Sequence, residues 1–204
     1  MSSNVVAEGQ VSEPEPTTEY DSYSSCLLLN AQSINPSAKS ACSWKVPYLE
    51  NIVRQKSKTA PLPFIAITES WLKSYVEDAQ ISLEDYYIHR CDRGTRVGGG
   101  ALLYTHRDLH VTNTETLDKD SCQLVMCSSE PSKLIVCVLY RPPLAPIEDF
   151  KACLESIHEY SAGKDDYDLC LLGDFNFPNI SWETGITTSA NPSTELFENF
   201  MAEQ

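Results

Sequence analysis

Polar side chains that can bind a metal ion or exchange a proton follow three apolar runs of this chain, where each run ends. Asn30 follows CLLL, Glu69 follows FIAIT, and Asp174 follows LCLLG, with Asn176 two residues later. Such short apolar runs are typical of buried strands, and functional groups of sheet proteins gather in the loops beyond strand ends. The pattern favours a site at the edge of a sheet. The alternative is that polar residues simply mark where strands stop.

A fourth apolar run, KLIVCVLY, ends in Tyr140 and Arg141. An arginine at a strand end can bind a phosphate through two parallel N–H groups. For Arg141 a surface ion pair is an equally good interpretation. Four strand ends with metal-, phosphate- or proton-competent groups are harder to attribute to coincidence than any one of them.

Five short motifs occur in the order found in the endonuclease/exonuclease/phosphatase superfamily. They are NAQSI (30–34), TESWL (68–72), GGGALLY (98–104), YRPP (140–143) and GDFN (173–176). The chain most resembles the branch found in non-LTR (LINE-type) retrotransposons, which is close to the apurinic-endonuclease pattern. Each motif alone is weakly specific, so the resemblance depends on all five together. It covers the chain from about Cys26 to Trp182.

The resemblance implies an α/β (α+β) fold, a four-layer sandwich of two packed β-sheets with helices outside. It also implies a divalent cation, Mg²⁺ or Mn²⁺. Glu69 matches the acidic metal ligand of the family, and Asn30 matches the asparagine beside the metal. Such hard oxygen ligands suit Mg²⁺ when waters and the substrate phosphate complete the octahedron. The alternative for Glu69 is a strand-end glutamate that caps the following turn.

The same resemblance assigns catalytic roles. Asp174 matches the aspartate that prepares the attacking water, Asn176 the asparagine that holds this water and the phosphate, and Tyr140 the tyrosine that donates to the scissile phosphate. This is general base catalysis with a metal that polarises a phosphoryl oxygen. GDFN is also a good turn sequence, and both interpretations can hold together. Trp71 and Trp182 can stack on bases or line the cleft, with core packing an equally good alternative.

The sequence departs from the family pattern in two ways. Gln32 stands where retrotransposon members commonly carry a basic residue, which predicts one weaker phosphate contact. The family ends with a Ser-Asp-His motif on a late strand and loop, and no such motif follows Trp182. We therefore expect a C-terminally truncated domain without its last strands and without a catalytic histidine, a loss typically of about 10²–10⁴ in rate. Surface or packing roles are expected for the four histidines, at positions 89, 106, 110 and 158.

The elements that position these residues alternate between strands and helices, with a run of strands in the middle. Apolar residues at helical spacing predict helices over 46–56 and 147–160, and the start of a third over 193–204 with Ser193 or Thr194 as its N-cap. Strands are predicted over residues 26–30, 63–68, 85–90, 97–105, 109–115, 122–129, 133–140 and 168–175.

Composition divides the chain in two. Residues 1–24 are rich in Ser, Glu, Pro and Thr, which predicts a disordered acidic tail. Residues 25–204 are expected to form one domain, incomplete at its C-terminus. Of the eight cysteines none forms a C-x₂-C pair, and several lie in apolar runs, so reduced and buried thiols are expected.

The formal net charge is −14, from 29 acidic and 15 basic residues. Proteins that bind DNA non-specifically usually carry a basic surface, so the charge argues against strong binding of that kind. It does not exclude a nuclease, because carboxylates that hold metal also add negative charge. No apolar run approaches the roughly 20 residues of a membrane span, and the N-terminus has no signal-peptide pattern. We expect an intracellular protein, cytoplasmic or nuclear, without a membrane partner.

With the resemblance, the sequence predicts Mg²⁺-dependent phosphodiester hydrolysis by a DNA-nicking endonuclease of retrotransposon type. One alternative is a catalytically inactive remnant of such a domain. Another is a phosphoesterase that cleaves a phospholipid or inositol phosphate on the same fold. The motifs GGGALLY and YRPP favour the nuclease over this last alternative.

Overall fold

The computed structural model describes residues 26–36, 45–56, 61–94, 96–182, 184, 186–189 and 191–203. The predicted tail lies outside the described residues. The helices are α1 (Val46–Lys56), α2 (Ile147–Ser161) and α3 (Pro192–Glu203). None of these three helices is long and apolar enough to cross a bilayer. The strands are β1 (Leu27–Asn30), β2 (Phe64–Thr68), β3 (Tyr86–Cys91), β4 (Ala101–His106), β5 (Val111–Lys119), β6 (Cys122–Ser129), β7 (Leu134–Tyr140), β8 (Asp168–Asp174), β9 (Ile180–Ser181) and β10 (Ile186–Thr187).

All eight predicted strands and all three predicted helices are present, with differences at their ends. The predicted N-cap of α3 is wrong. Oδ1 of Asn191 accepts from the N–H groups of Ser193 (3.1 Å) and Thr194 (3.0 Å), so Asn191 caps this helix and Ser193 lies inside it. An N-cap side chain must stand before the first helical residue to reach these N–H groups. The short pair β9 and β10 was not predicted, because two-residue strands carry no readable alternation.

The first sheet has the strand order β1-β2-β4-β3. β1 and β2 run parallel, whereas β4 is antiparallel to both β2 and β3. Every residue of β2 is buried, as expected for an apolar strand inside a sheet that is covered on both faces. The C-terminal ends of β1 and β2 therefore meet the start of β4 at one end of the sheet.

The second sheet has the strand order β5-β6-β7-β8. β5, β6 and β7 form an antiparallel meander, and β8 returns through α2 to pair in parallel with β7. A parallel pair needs such a crossover, and its two C-terminal ends lie together. Tyr140, the last residue of β7, is thus in register with Asp174, the last residue of β8.

The two sheets pack face to face through a shared apolar layer, which includes Phe64, Ala66, Leu103, Val125 and Val138. Helix α1 and part of the 72–86 segment cover the outer face of the first sheet. Helices α2 and α3 cover the outer face of the second sheet. Burial of each large apolar side chain stabilises such a core by about 1.5–3 kcal/mol. The predicted four-layer α/β sandwich is confirmed.

The cysteines behave as small apolar residues. Seven are described, all as free thiols, and five of these are buried. Burial raises the pKa of Cys91 to about 12 and that of Cys127 to about 12, so both stay protonated at neutral pH. The prediction that most thiols are buried is confirmed for the described residues, and their reduced state stays a prediction.

Candidate active site

Two contacts between the sheets bring the predicted strand-end residues into one site. Nδ2 of Asn30, at the end of β1, donates to Oδ2 of Asp174, at the end of β8, over 2.8 Å. The hydroxyl group of Tyr140, at the end of β7, lies beside the carboxylate of Glu69, which follows β2 and raises the pKa of that hydroxyl. Residues that are up to 144 positions apart in the chain therefore meet at one end of the sandwich.

Glu69 has a left-handed backbone (φ 55°) directly after the buried strand β2. Its Oε2 atom accepts two hydrogen bonds, from Nε1 of Trp71 (2.5 Å) and from the backbone N–H of Gly99 (2.9 Å). Bonds to a carboxylate are stronger than bonds between neutral groups. Side chain and backbone together hold this carboxylate in one orientation.

The partner of Glu69 is a glycine loop, residues 98–100, that leads into β4. All three glycines have positive φ, between 72° and 95°, which other residues rarely adopt. The loop pairs with the segment after β2, since the N–H of Trp71 donates to the carbonyl of Gly99 over 3.0 Å. The sequence predicted a strand from residue 97, but this loop delays its start to Ala101.

Tyr140 is almost fully buried, with 4% of its surface exposed. Burial raises the pKa of its hydroxyl group, and the neighbouring carboxylate of Glu69 raises it further. The hydroxyl therefore keeps its proton at neutral pH and can act as a hydrogen-bond donor.

Asp174 is the last residue of β8, and Asn176 lies on the loop that follows it, close to the start of the YRPP segment. A side chain cannot replace the preceding Gly173, because its Cβ would lie 2.0 Å from the carbonyl oxygen of Leu139 on β7. Asn176 has φ 51°, and its Nδ2 donates to the carbonyl of Arg141 over 2.8 Å. The turn interpretation of GDFN and its presence in the site are therefore compatible.

Arg141 is buried beneath this loop, with 5% of its surface exposed. Nη1 donates to the carbonyl of Phe175 over 2.9 Å, and the guanidinium lies 4.6 Å from the ring centre of Phe177 and 5.3 Å from that of Phe150. The surface ion pair considered for Arg141 is wrong, because the side chain points inward to carbonyls and rings. Direct binding of a phosphate by Arg141 stays a prediction.

The two tryptophans have different surroundings. Trp71 donates to Glu69, a role that neither base stacking nor core packing anticipated. Trp182 is 58% exposed and lies 5.8 Å from the ring of Phe175, measured between ring centres. Trp182 and Phe175 line a cavity of about 630 Å³ that also reaches Leu28 and Asp174. Trp182 is thus available beside the site, as the cleft-lining interpretation requires.

No group of three or more His, Cys, Asp or Glu side chains that could hold a metal is found among the described residues. Mg²⁺ does not need such a group, because it commonly takes one or two carboxylates and keeps waters or phosphate oxygens as other ligands. Glu69 and Asn30 supply a carboxylate and an amide oxygen of this hard type, from neighbouring strands β1 and β2. The donor set therefore fits Mg²⁺ or Mn²⁺.

Sequence reasoning missed Gln123, the second residue of β6. This side chain is fully buried (0% exposed), and its Oε1 accepts from the N–H of Gly100 over 3.1 Å. The available signal was a single amide in the otherwise apolar start of the CQLVMC run, since buried polar groups require partners.

No protein-family model matches this chain. No curated protein matches it either. Several solved structures are similar to this chain. Their sequence identities are low, so the similarity indicates a shared fold only. The 3′-5′ exonuclease NExo of Neisseria meningitidis aligns with a TM-score of 0.59 at 14% identity, over 87% of this chain and 70% of that one. An endonuclease/exonuclease/phosphatase family protein of Bacteroides thetaiotaomicron aligns with a TM-score of 0.56 at 14% identity, over 85% and 67%.

A third similar structure is D. rerio TDP2 in complex with a single-strand DNA product. It aligns with a TM-score of 0.53 at 12% identity, over 74% of this chain and 60% of that one. A humanised form of the same protein is covered over 65% of its length. This chain therefore spans about 60–65% of the D. rerio structures. It has the endonuclease/exonuclease/phosphatase fold.

Proposed function

We propose that this chain hydrolyses phosphodiester bonds with the help of Mg²⁺ or Mn²⁺, as a DNA-nicking endonuclease of the retrotransposon type. The observation that carries the proposal is a pair of inter-sheet contacts, the hydrogen bond from Asn30 to Asp174 and the Tyr140 hydroxyl beside the Glu69 carboxylate. They assemble a metal-competent carboxylate, a second carboxylate and a neutral hydroxyl donor at one place. A fold alone would not support a function, since one fold hosts many activities.

In this proposal each residue has a chemical task. The carboxylate of Asp174 accepts a proton from the attacking water, and the amide of Asn176 orients that water and the phosphate. The protonated hydroxyl of Tyr140 donates to a phosphate oxygen, where negative charge develops. Glu69 and Asn30 would hold the divalent cation, which neutralises phosphate charge and polarises the phosphoryl oxygen when bound.

DNA is the proposed substrate for two reasons. The five motifs most resemble those of the retrotransposon branch, and GGGALLY and YRPP favour a nuclease. Two of the proteins with a similar fold are solved with DNA products, D. rerio TDP2 with single-strand DNA and NExo with a DNA hairpin. The net charge of −14 predicts weak non-specific binding of the DNA backbone.

The test is conversion of supercoiled plasmid to its nicked form with Mg²⁺, with Mn²⁺ and with EDTA. Glu69→Gln and Asp174→Asn should each lower the nicking rate by about 10²–10⁴. Matched controls are Glu84→Gln and Asp165→Asn, the same changes at exposed positions outside the site, and these should nick like the wild type. A wild-type protein that never nicks, or site variants that nick normally while folded by circular dichroism, would refute the proposal.

A further inference from the structure

The second sheet contributes a residue to the orientation of Glu69 without touching it. We propose that Gln123 is a positioning residue that fixes the glycine loop so that the N–H of Gly99 points at the Glu69 carboxylate. Gln123 thereby sets the affinity of Glu69 for a divalent cation. The inference rests on the proposed function for the metal, but the geometry that carries it does not depend on the cation.

The amide of Gln123 is held at both ends. Its Oε1 accepts from the N–H of Gly100 over 3.1 Å, and its Nε2 donates to Oδ1 of Asp118 over 3.0 Å. Oδ2 of Asp118 in turn accepts from the N–H of Gly94 over 3.4 Å. Rotation of the amide by 180° would place its NH₂ group against the N–H of Gly100, so only one orientation satisfies both ends.

Two successive N–H groups of the glycine loop connect Gln123 to Glu69. The N–H of Gly100 points to Gln123, and the N–H of the preceding Gly99 points to Oε2 of Glu69 over 2.9 Å. Their carbonyl groups accept from the other side, Gly99 from Trp71 over 3.0 Å and Gly100 from Ser70 over 3.4 Å. With its backbone groups used on both sides, the loop cannot rotate one peptide without losing a partner.

The glycine loop also packs closely against Gln123 and its neighbours, with no room for a side chain at Gly99 or Gly100. A Cβ atom at Gly99 would lie 2.9 Å from Oε1 of Gln123 and 2.6 Å from Cδ of Arg93. A Cβ atom at Gly100 would lie 2.4 Å from Oγ of Ser70. The glycines permit this close approach, and Gln123 supplies the hydrogen bond that makes it specific.

A merely structural role would be the stabilisation of β6, whose other buried residues are mostly apolar. The two roles differ in what they predict. A structural residue changes the melting temperature alone, whereas a partner of a metal ligand typically changes metal affinity about 10–100-fold. The measurement must therefore report on Glu69 and on the loop separately from stability.

The experiment compares Gln123→Met with Ser128→Ala. Ser128 is a matched control, because it is a buried polar residue at the far end of the same strand, where its Oγ accepts from the hydroxyl of Tyr160 over 3.1 Å. Mn²⁺ affinity is measured by electron paramagnetic resonance, and exchange of the Gly99 and Gly100 amides by NMR in metal-free protein. We expect both variants to melt at lower temperature. Only Gln123→Met should weaken Mn²⁺ binding about 10–100-fold and speed exchange of both glycine amides.

A double variant tests whether the hydrogen bonds themselves matter. In Asp118→Asn with Gln123→Glu, the new carboxylate accepts from Gly100 and from the new asparagine amide, with net charge unchanged. It should recover Mn²⁺ affinity and amide protection relative to Gln123→Met. If the amides of Gly99 and Gly100 exchange at the wild-type rate in Gln123→Met, the positioning role is overturned.

The same data separate this inference from the proposed function. If the wild type binds Mn²⁺, Glu69→Gln does not, and Gln123→Met binds as tightly as the wild type, the inference falls and the metal site stands. If the wild type binds no Mn²⁺, the metal part of the proposed function falls, and so does any effect of Gln123 on affinity. The exchange rates of the two glycines then still decide whether Gln123 positions the loop.

Discussion

The two carboxylates of the candidate site are held very differently. Glu69 follows a strand buried along its whole length, and its Oε2 atom receives donors from Trp71 and Gly99. Asp174 ends β8, a strand whose apolar residues are only half buried, and among the described residues its side chain receives one hydrogen bond, from Asn30. The orientation of the Glu69 carboxylate is therefore fixed by more donors than that of the Asp174 carboxylate.

The strand order explains the contrast. β2 lies between β1 and β4, so both of its edges are paired and both of its faces are covered. β8 pairs only with β7 among the described residues, although Leu169, Leu171 and Leu172 give it the composition of an interior strand. An apolar strand with one open edge is less constrained than an interior strand, and it is a surface for pairing with a further strand. The Glu69 half of the site is therefore preorganised, while the Asp174 half relies on Arg141 and Asn30.

The most disruptive test of this contrast is Arg141→Met, because it removes the support of the Asp174 loop. The carbonyl of Phe175 loses a charged donor, which we expect to destabilise the protein by about 1.5–3 kcal/mol. Plasmid nicking should fall, whereas Mn²⁺ affinity at Glu69 should stay unchanged. Lys151→Met, the same loss of a cation at a half-exposed position of α2, is the control. Equal losses of nicking and Mn²⁺ affinity in Arg141→Met would show that the two halves are not independent.

A smaller effect is expected from Trp71→Phe, which acts on the other half. The variant keeps an aromatic ring but removes the N–H that donates to Glu69. One lost hydrogen bond to a charged group costs about 1.5–3 kcal/mol, and the donor from Gly99 remains to hold the carboxylate. We therefore expect a destabilisation at the low end of that range and a weaker Mn²⁺ affinity. Amide exchange in the Asp174–Phe177 loop should not change, and a change there would contradict the separation of the halves.

The smallest effect concerns Tyr140, which joins the halves. Because burial and Glu69 raise its pKa, the folded protein keeps this proton above about pH 10, where the unfolded chain releases it. Stability from Tyr140 is therefore fully present below pH 10 and is lost as the pH rises through the folded pKa. Urea unfolding at pH 8, 10 and 11 should show the difference between wild type and Tyr140→Phe shrinking. Tyr160→Phe is a positive control, since burial raises the pKa of Tyr160 to about 12. If the stability difference shrinks with pH for Tyr160→Phe but stays constant for Tyr140→Phe, the pKa of Tyr140 is not raised.

The strand ends were readable from the sequence because an apolar run and the polar residue that stops it are adjacent in the chain. This is why the sequence pointed to Asn30, Glu69, Tyr140 and Asp174, which the structure places at one end of the sandwich. The inward orientation of Arg141 was not readable, because it depends on Phe150 and Phe177 from other elements. The catalytic and metal-binding roles of the strand-end residues stay predictions.

The sequence by itself determined the eight main strands, the three helices and the polar residues at the strand ends, because alternation and apolar runs are local properties. Only the tertiary structure decided which groups orient those residues. Gln123 and Gly99 act on Glu69 across two sheets, and Asn30 reaches Asp174 over 144 positions of sequence. Hydrogen bonds of this kind depend on strand order and sheet packing, which no local pattern encodes.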